Sequence, residues 1–326
     1  METPPPYNGD SLKLLVDSPI PPRKPLIEQF IYEKMVMMVY ADPGVGKSVV
    51  SLCMALQASA GLPVFGFFTP VRPLKIYYAL TERGIEEPLE RLQLMGKAFD
   101  INYDNIYFDE ATIGINVLDL DVEKALIKRI ETYCPHPDII VFDPIYSMVR
   151  GGLSDPKDAT LFAQFSARIQ NHFKCANWFN HHTLKNTSDL VEGHFIPKND
   201  PFMGSQLLKA HITAMYHLTQ VDDQAKLSRK KDSHGLLLKQ FSLDFDVETY
   251  TLSMKVSSSD ITSKDKASIF FSNCKKSGKT FSFDEFSKAI QPATHRYTQK
   301  LLGVTIEEGL VFNVSPKFSK ALYKIC

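Results

Sequence analysis

The sequence predicts an α/β domain built on a mainly parallel sheet, with an antiparallel extension and a small C-terminal unit. Short apolar runs at Met35 to Tyr40, Leu74 to Leu80, Asn105 to Phe108, Ile139 to Phe142 and Cys175 to Phe179 read as buried strands. Segments with helical spacing, Ser48 to Ala60, Ile85 to Ala98, Val122 to Tyr133 and Ala159 to Phe173, alternate with them. Such alternation places helices on both faces of a parallel sheet. After His211 the pattern changes. Ile212 to Val221, Gly235 to Phe241 and Glu248 to Val256 read as strands without intervening helices, and so as antiparallel additions to the sheet.

Composition sets the bounds of this reading. With 326 residues, 44% apolar and 23% charged, the chain can bury a large core and a smaller second one. No run approaches the roughly 20 apolar residues of a membrane helix, and Met1 to Asp10 lacks the apolar stretch of a signal peptide, so no membrane association and a cytoplasmic home are expected. The five cysteines are scattered, with no C-x-x-C spacing, and read as reduced core thiols. Lys+Arg and Asp+Glu balance at 37 each, yet Ser258 to Cys326 carries eleven basic and six acidic residues. That asymmetry, with the polar stretch Ser257 to Lys264, divides the chain into a Pro-rich arm (1–25), a main domain (26–257) and a basic tail (258–326).

The chemistry concentrates after the first strand. Asp42-Pro43-Gly44-Val45-Gly46-Lys47-Ser48-Val49 follows an apolar run and opens a helix, the setting a phosphate-binding loop requires. Gly44 and Gly46 free the backbone to turn its N–H groups toward a β-phosphate; Lys47 reaches the β- and γ-phosphates of ATP; the Ser48 hydroxyl binds Mg²⁺. Ala41 stands where such loops usually carry their first glycine, and the Asp42 carboxylate must point away from polyphosphate. A second Gly-Lys-Thr, Gly278 to Thr280, has no strand before it and runs into a capping box, Ser282 to Glu285. It is rejected.

Asp143, ending the run Asp138 to Phe142, is the expected Mg²⁺-binding aspartate of a Walker B strand. Pro144 occupies the position next to it, where many such enzymes place the general base. Glu82, after the run Leu74 to Leu80, is the better base, its strand expected beside that of the phosphate loop; capping of the next helix is the other role open to it. His181 and His182 end a further strand. Neighbours on a strand face opposite ways, so only one of the two can act as a γ-phosphate sensor.

Together the A-x-P-G-x-G-K-S loop, Glu82, the strand running into Asp143-Pro144-Ile145, His181-His182 with Lys185, and Gly204-Ser205 resemble the RecA-like ATPases of the RepA type, the hexameric replicative helicases and their relatives. The resemblance covers about Pro25 to Val256. It implies a P-loop NTPase fold, a hexameric ring with ATP between subunits, a basic finger supplied by the neighbour, and DNA in the channel. No arginine follows Gly204-Ser205 in the family's position. Arg229-Lys230-Lys231, expected in a hairpin, looks like the K-x-R fingers of DnaB-like ATPases, so Arg229 and Lys231 are the candidate trans residues; a solvated hairpin tip is the alternative. The loops Ser147 to Lys157 and Lys185 to Met203, with Arg150, Lys185 and Lys198, fall where such rings touch DNA.

The basic tail resembles a winged helix: Asp265 to Cys274, Phe283 to Ile290, a recognition helix Ala293 to Glu308 presenting His295, Arg296, Gln299 and Lys300, and a wing Gly309 to Ile325. The expected function is that of an ATP-hydrolysing DNA motor, with a recombination mediator or a partner-contacting regulatory ATPase as the alternatives.

Overall fold

A computed structural model describes residues 23–82, 84–99, 101, 103–183, 188–191, 194–197, 202–221, 224–236 and 238–255, and, in the tail, 267, 270–271, 274, 280–290, 299, 302, 311–313 and 322–325. A small hairpin, β1 (Pro25–Ile27) and β2 (Ile31–Tyr32), opens the fold. The main sheet has nine described strands in the order β13-β12-β11-β10-β3-β7-β6-β4-β5. Six are mutually parallel: β3 (Val36–Ala41), β4 (Ile76–Leu80), β5 (Ile106–Asp109), β6 (Ile139–Asp143), β7 (Ala176–His182) and β10 (Ala214–Val221). Three antiparallel strands follow: β11 (Gln224–Asp232), β12 (Gln240–Phe245) and β13 (Leu252–Lys255).

β3, β4 and β6 are buried at every position, as continuous apolar runs covered on both faces must be. One face packs on α1 (Lys47–Ser59) and α2 (Glu86–Ala98); the other packs on α3 (Leu120–Tyr133), α4 (Pro156–Phe173) and the short α5 (Gln206–His211). β3 shows the division: Met37, Val39 and Ala41 point to the first layer, Val36, Met38 and Tyr40 to the second. α1 is buried nearly all round because the antiparallel strands wrap over its outer side, where the Leu252 amide donates to Cys53 Sγ at 3.4 Å.

Four expectations need correction. β4 lies between β6 and β5, not beside β3, whose neighbours are β7 and β10. β10 is parallel to β3, so the antiparallel part begins one strand later. The strand placed at Gly235 to Phe241 runs instead from Gln240 to Phe245, and Arg229 to Lys231, expected in a hairpin, sit inside β11. β11 reads QAKLSRKKD and escapes apolar patterning because only Leu227 is buried. The segment Lys185 to Met203 holds an antiparallel ribbon, β8 (Ser188–Val191) with β9 (His194–Pro197).

In the tail, β14 (Phe281–Ser282), β15 (Val311–Asn313) and β16 (Leu322–Ile325) form a small sheet beside α6 (Phe283–Ala289). α6 begins with the expected capping box between Ser282 and Glu285. Ala267, Cys274, Phe281, Phe286, Ile290 and Leu302 form a separate apolar cluster. His295, Arg296 and Lys300 lie outside the described residues; Gln299 is helical and exposed. No described helix is long and apolar enough to cross a membrane.

Candidate nucleotide site

The C-terminal ends of the parallel strands open into a cleft of about 1280 Å³ lined by Pro43 to Val50, Glu82, Asp143, Tyr146, Ser147, His182 and Thr183, among others. Its floor is the turn between β3 and α1. Gly44 and Gly46 have φ of 83° and 97°, a left-handed conformation costly for residues with a Cβ, which is why the turn needs glycine at both positions. Among the described α-helices, α1 alone has neither a side-chain cap nor an acidic residue in its first turn. Its N–H groups and positive dipole end are left to an anion. Lys47 Nζ donates to the carbonyls of Ala41 and Asp42, each at 3.0 Å, which folds the amine over the loop. Burial lowers its pKa, while Asp143, Asp42 and Glu82 oppose the shift. The Asp42 carboxylate accepts a hydrogen bond from Thr183 Oγ1 at the end of β7.

Asp143 reaches the cleft from β6, 8% exposed, and its Oδ2 accepts from Tyr78 Oη at 2.6 Å. No described residue donates to Oδ1. Ser48 and Asp143 line the same cleft and offer hydroxyl and carboxylate oxygens, the hard donors Mg²⁺ takes alongside nucleotide phosphates. The described residues contain no cluster of three His, Cys, Asp or Glu side chains able to hold a metal by themselves. The donor set therefore suits an ion that arrives with its nucleotide.

Glu82, half exposed, lines the cleft just beyond β4, and His182 Nε2 lies 4.0 Å from its carboxylate. Thr81 fixes the start of this segment by donating to the Pro144 carbonyl, and Ser147 Oγ donates to Thr81 Oγ1 at 2.9 Å. His182 is held toward the neutral form by burial and the nearby Lys47, with Glu82 and Asp143 opposing. His181 points to the opposite face of the sheet. It is fully buried, its Nε2 donates to the Met203 carbonyl at 2.6 Å, its ring meets Phe202, and burial pushes its pKa down to about 4. Strand alternation thus leaves His182 as the histidine that faces the nucleotide side.

Arg229 and Lys231 stand apart from the cleft. Arg229 Nη1 lies 2.9 Å from Asp232 Oδ2 and donates to the Leu236 carbonyl, bracing a turn in which Asp232 also accepts the amides of His234, Gly235 and Leu236. Lys231 Nζ donates to the carbonyls of Lys209 and Ala210 at 2.7 and 2.8 Å, satisfying the C-terminal end of α5. Within the chain, then, Arg229 braces a turn and Lys231 closes the end of a helix.

Sequence reading passed over Arg91, which lines the cleft from α2 and binds Glu87 one turn away, since an i,i+4 pair reads as solvated surface. It also missed the apolar end of the cleft, where Phe245 and Tyr250 meet edge to face at 5.2 Å beside Leu252, Ala225 and Gln220. Apart from Gln220 on β10, these residues belong to the antiparallel strands and their turn, and no local motif ties them to the phosphate loop.

A profile of an AAA domain family, AAA_25, matches residues 5–188, more than half of the chain. Among solved structures the chain is similar to one described as an ATPase domain, with 13% identity and a TM-score of 0.52, covering 69% of this chain and 86% of that one. It is also similar to a DnaB-like replicative helicase described together with its interactions with primase, with 12% identity and a TM-score of 0.50, covering 67% of this chain and 58% of that one. No curated protein sequence matches closely enough to count as a relative. The likenesses agree with the strand order on the fold, that of a RecA-like P-loop ATPase.

Proposed function

Because the chain belongs to the AAA domain family AAA_25, we propose that it binds ATP with Mg²⁺ and hydrolyses it, and that it works as a ring-forming, helicase-like motor on DNA. The observation that carries the hydrolytic part is the convergence of Lys47, Ser48, Asp143 and Glu82 on one cleft from three separate strand ends. The loop and the open N-terminus of α1 hold the phosphates, with Lys47 swinging from the Ala41 and Asp42 carbonyls to the β- and γ-oxygens. Ser48 and Asp143 would hold Mg²⁺, which when bound would neutralise charge on the phosphates. Glu82 takes the proton of the attacking water, and His182 beside it orients toward the γ-phosphate. The base lies toward Phe245 and Tyr250, which offer flat apolar faces.

The DNA-motor part rests on the resemblance to replicative helicases and on the two segments rising from the same strand ends, Ser147 to Lys157 and the β8–β9 ribbon. Arg150 is exposed in the first; Lys185 and Lys198 fall outside the described residues. The basic tail, with its own apolar cluster, would add duplex contacts as a winged helix, weakening with salt as counterions are released. The basic tail supports a second reading, a nucleotide-dependent regulatory ATPase that recruits a protein partner through that tail. Mass measurement with and without ATP and Mg²⁺, followed by strand-displacement assays, separates the two. A nucleotide-dependent hexamer that displaces a strand supports the motor; a monomer that turns over ATP without displacement leaves the switch.

A further inference from the structure

A line of buried polar side chains runs beneath the cleft. Trp178 Nε1 lies 3.0 Å from Asn180 Oδ1, Asn180 Nδ2 2.8 Å from Ser51 Oγ, Ser51 Oγ 2.7 Å from Tyr78 Oη, and Tyr78 Oη 2.6 Å from Asp143 Oδ2. Trp178, Asn180, Ser51 and Tyr78 are all fully buried. Four elements contribute: β7, α1, β4 and β6.

The direction of every hydrogen bond follows from donor chemistry. The indole N–H can only donate, so it faces Asn180 Oδ1 and fixes the amide with Nδ2 toward Ser51. At the other end an ionised carboxylate can only accept, so the single Tyr78 proton goes to Asp143. The contact between Ser51 and Tyr78 then requires Ser51 to donate, in preference to the Lys47 and Ser48 carbonyls, each at 3.2 Å. All four protons point toward Asp143. Bonds aligned in this way polarise one another, and the last, to a charged acceptor, is the strong one.

We infer that Tyr78 is a positioning residue for the magnesium site: it fixes the Asp143 carboxylate by Oδ2, leaves Oδ1 to the ion, and ties both to α1 at Ser51, three residues beyond Ser48. The inference rests on the proposed nucleotide and Mg²⁺ site. Ser48 and Asp143 come from different elements, and the Ser51–Tyr78–Asp143 link locks their spacing before nucleotide arrives. The ring of Tyr78, stacked on Phe108 at 4.9 Å, holds the hydroxyl in place. A phenylalanine there keeps the packing and deletes only the link.

The test is calorimetric titration of the full chain with ADP, with and without Mg²⁺, for the wild type and Tyr78→Phe. Without metal the two should bind ADP within about twofold of each other, since the loop and Lys47 are untouched. The gain in affinity on adding Mg²⁺ should be smaller in Tyr78→Phe by on the order of tenfold, the range for losing a hydrogen bond to a charged group. An undiminished gain overturns the inference, whether or not thermal stability falls, because a purely structural tyrosine would alter stability alone. Should Tyr78→Phe fail to fold, Ser51→Ala carries the test: about a threefold smaller gain supports the link and an unchanged one overturns it. If the wild type itself shows no Mg²⁺-dependent gain, the proposed metal site fails instead.

Discussion

The phosphate-loop region and the antiparallel extension both offer basic residues that look functional in sequence, and the fold uses them in opposite ways. Lys47 opens α1, where loops from β3, β4, β6 and β7 converge, and its amine rests on the carbonyls of Ala41 and Asp42 at the start of the loop it serves. Arg229 and Lys231 lie along β11, away from the strand ends that line the cleft, and their charges satisfy an aspartate and the end of a helix. A parallel sheet has all its strand C-termini on one edge, so it builds a site there. An antiparallel addition spends its charges on holding itself together, and here it also covers α1 and closes the apolar end of the cleft.

If that contrast is right, the two lysines should differ in kind. Lys47→Ala should abolish turnover or lower it by ~100-fold or more, as for loss of a preorganised charge at reacting phosphates, with little change in unfolding midpoint. Lys231→Ala should leave turnover per folded molecule within about twofold. Phosphate-release assays beside thermal melts check both, and a large catalytic defect in Lys231→Ala would erase the distinction.

The two histidines extend the contrast across the sheet. His181 is held neutral by burial, its pKa about 4 against an ordinary value near 6.5, so the unfolded chain binds the proton more readily. Its contribution to stability is complete above about pH 6.5 and is lost as pH falls toward 4, about 2 kcal/mol of it between pH 7 and pH 5. Denaturant unfolding at those two pH values should show the loss, and His181→Gln should remove most of it. An equal loss in the variant would put the acid sensitivity elsewhere.

Arg229→Ala should destabilise the fold by ~1–2 kcal/mol, through the half-buried pair with Asp232 and the Leu236 carbonyl, without altering nucleotide affinity. Unchanged stability with slowed turnover would return Arg229 to the role of finger. The smallest effect is expected at the Asp42–Thr183 bond. Thr183→Val should cost about 1 kcal/mol and shift ATP affinity by less than about threefold, read by the same melts and titrations.

Much of this was legible in the sequence where structure is local. The strand-turn-helix of the phosphate loop, the apolar run into Asp143, and the capping box at Ser282 each declare themselves within about ten residues. β3, β4 and β6 were legible because burial on both faces makes them continuously apolar; β10, also parallel, was not recognised as such. β11 was not, since Leu227 is its one buried residue and Arg229 looked like a loop residue. Strand order was not legible either: that β7 lies between β3 and β6 follows from packing, and it is what brings Asn180 under α1. Tyr78 read as core because nothing local distinguishes a tyrosine that packs from one that packs and holds a carboxylate.

In the proposed mechanism Glu82, carried in from a strand three places along the sheet from the phosphate loop, activates the water that attacks ATP. Parallel measurement of Mg²⁺-ATP affinity and steady-state phosphate release in Glu82→Gln tests it most directly. Affinity should stay within about threefold of wild type and turnover should slow by ~100-fold or more, the signature of a lost general base. Near-normal turnover with intact binding would contradict it.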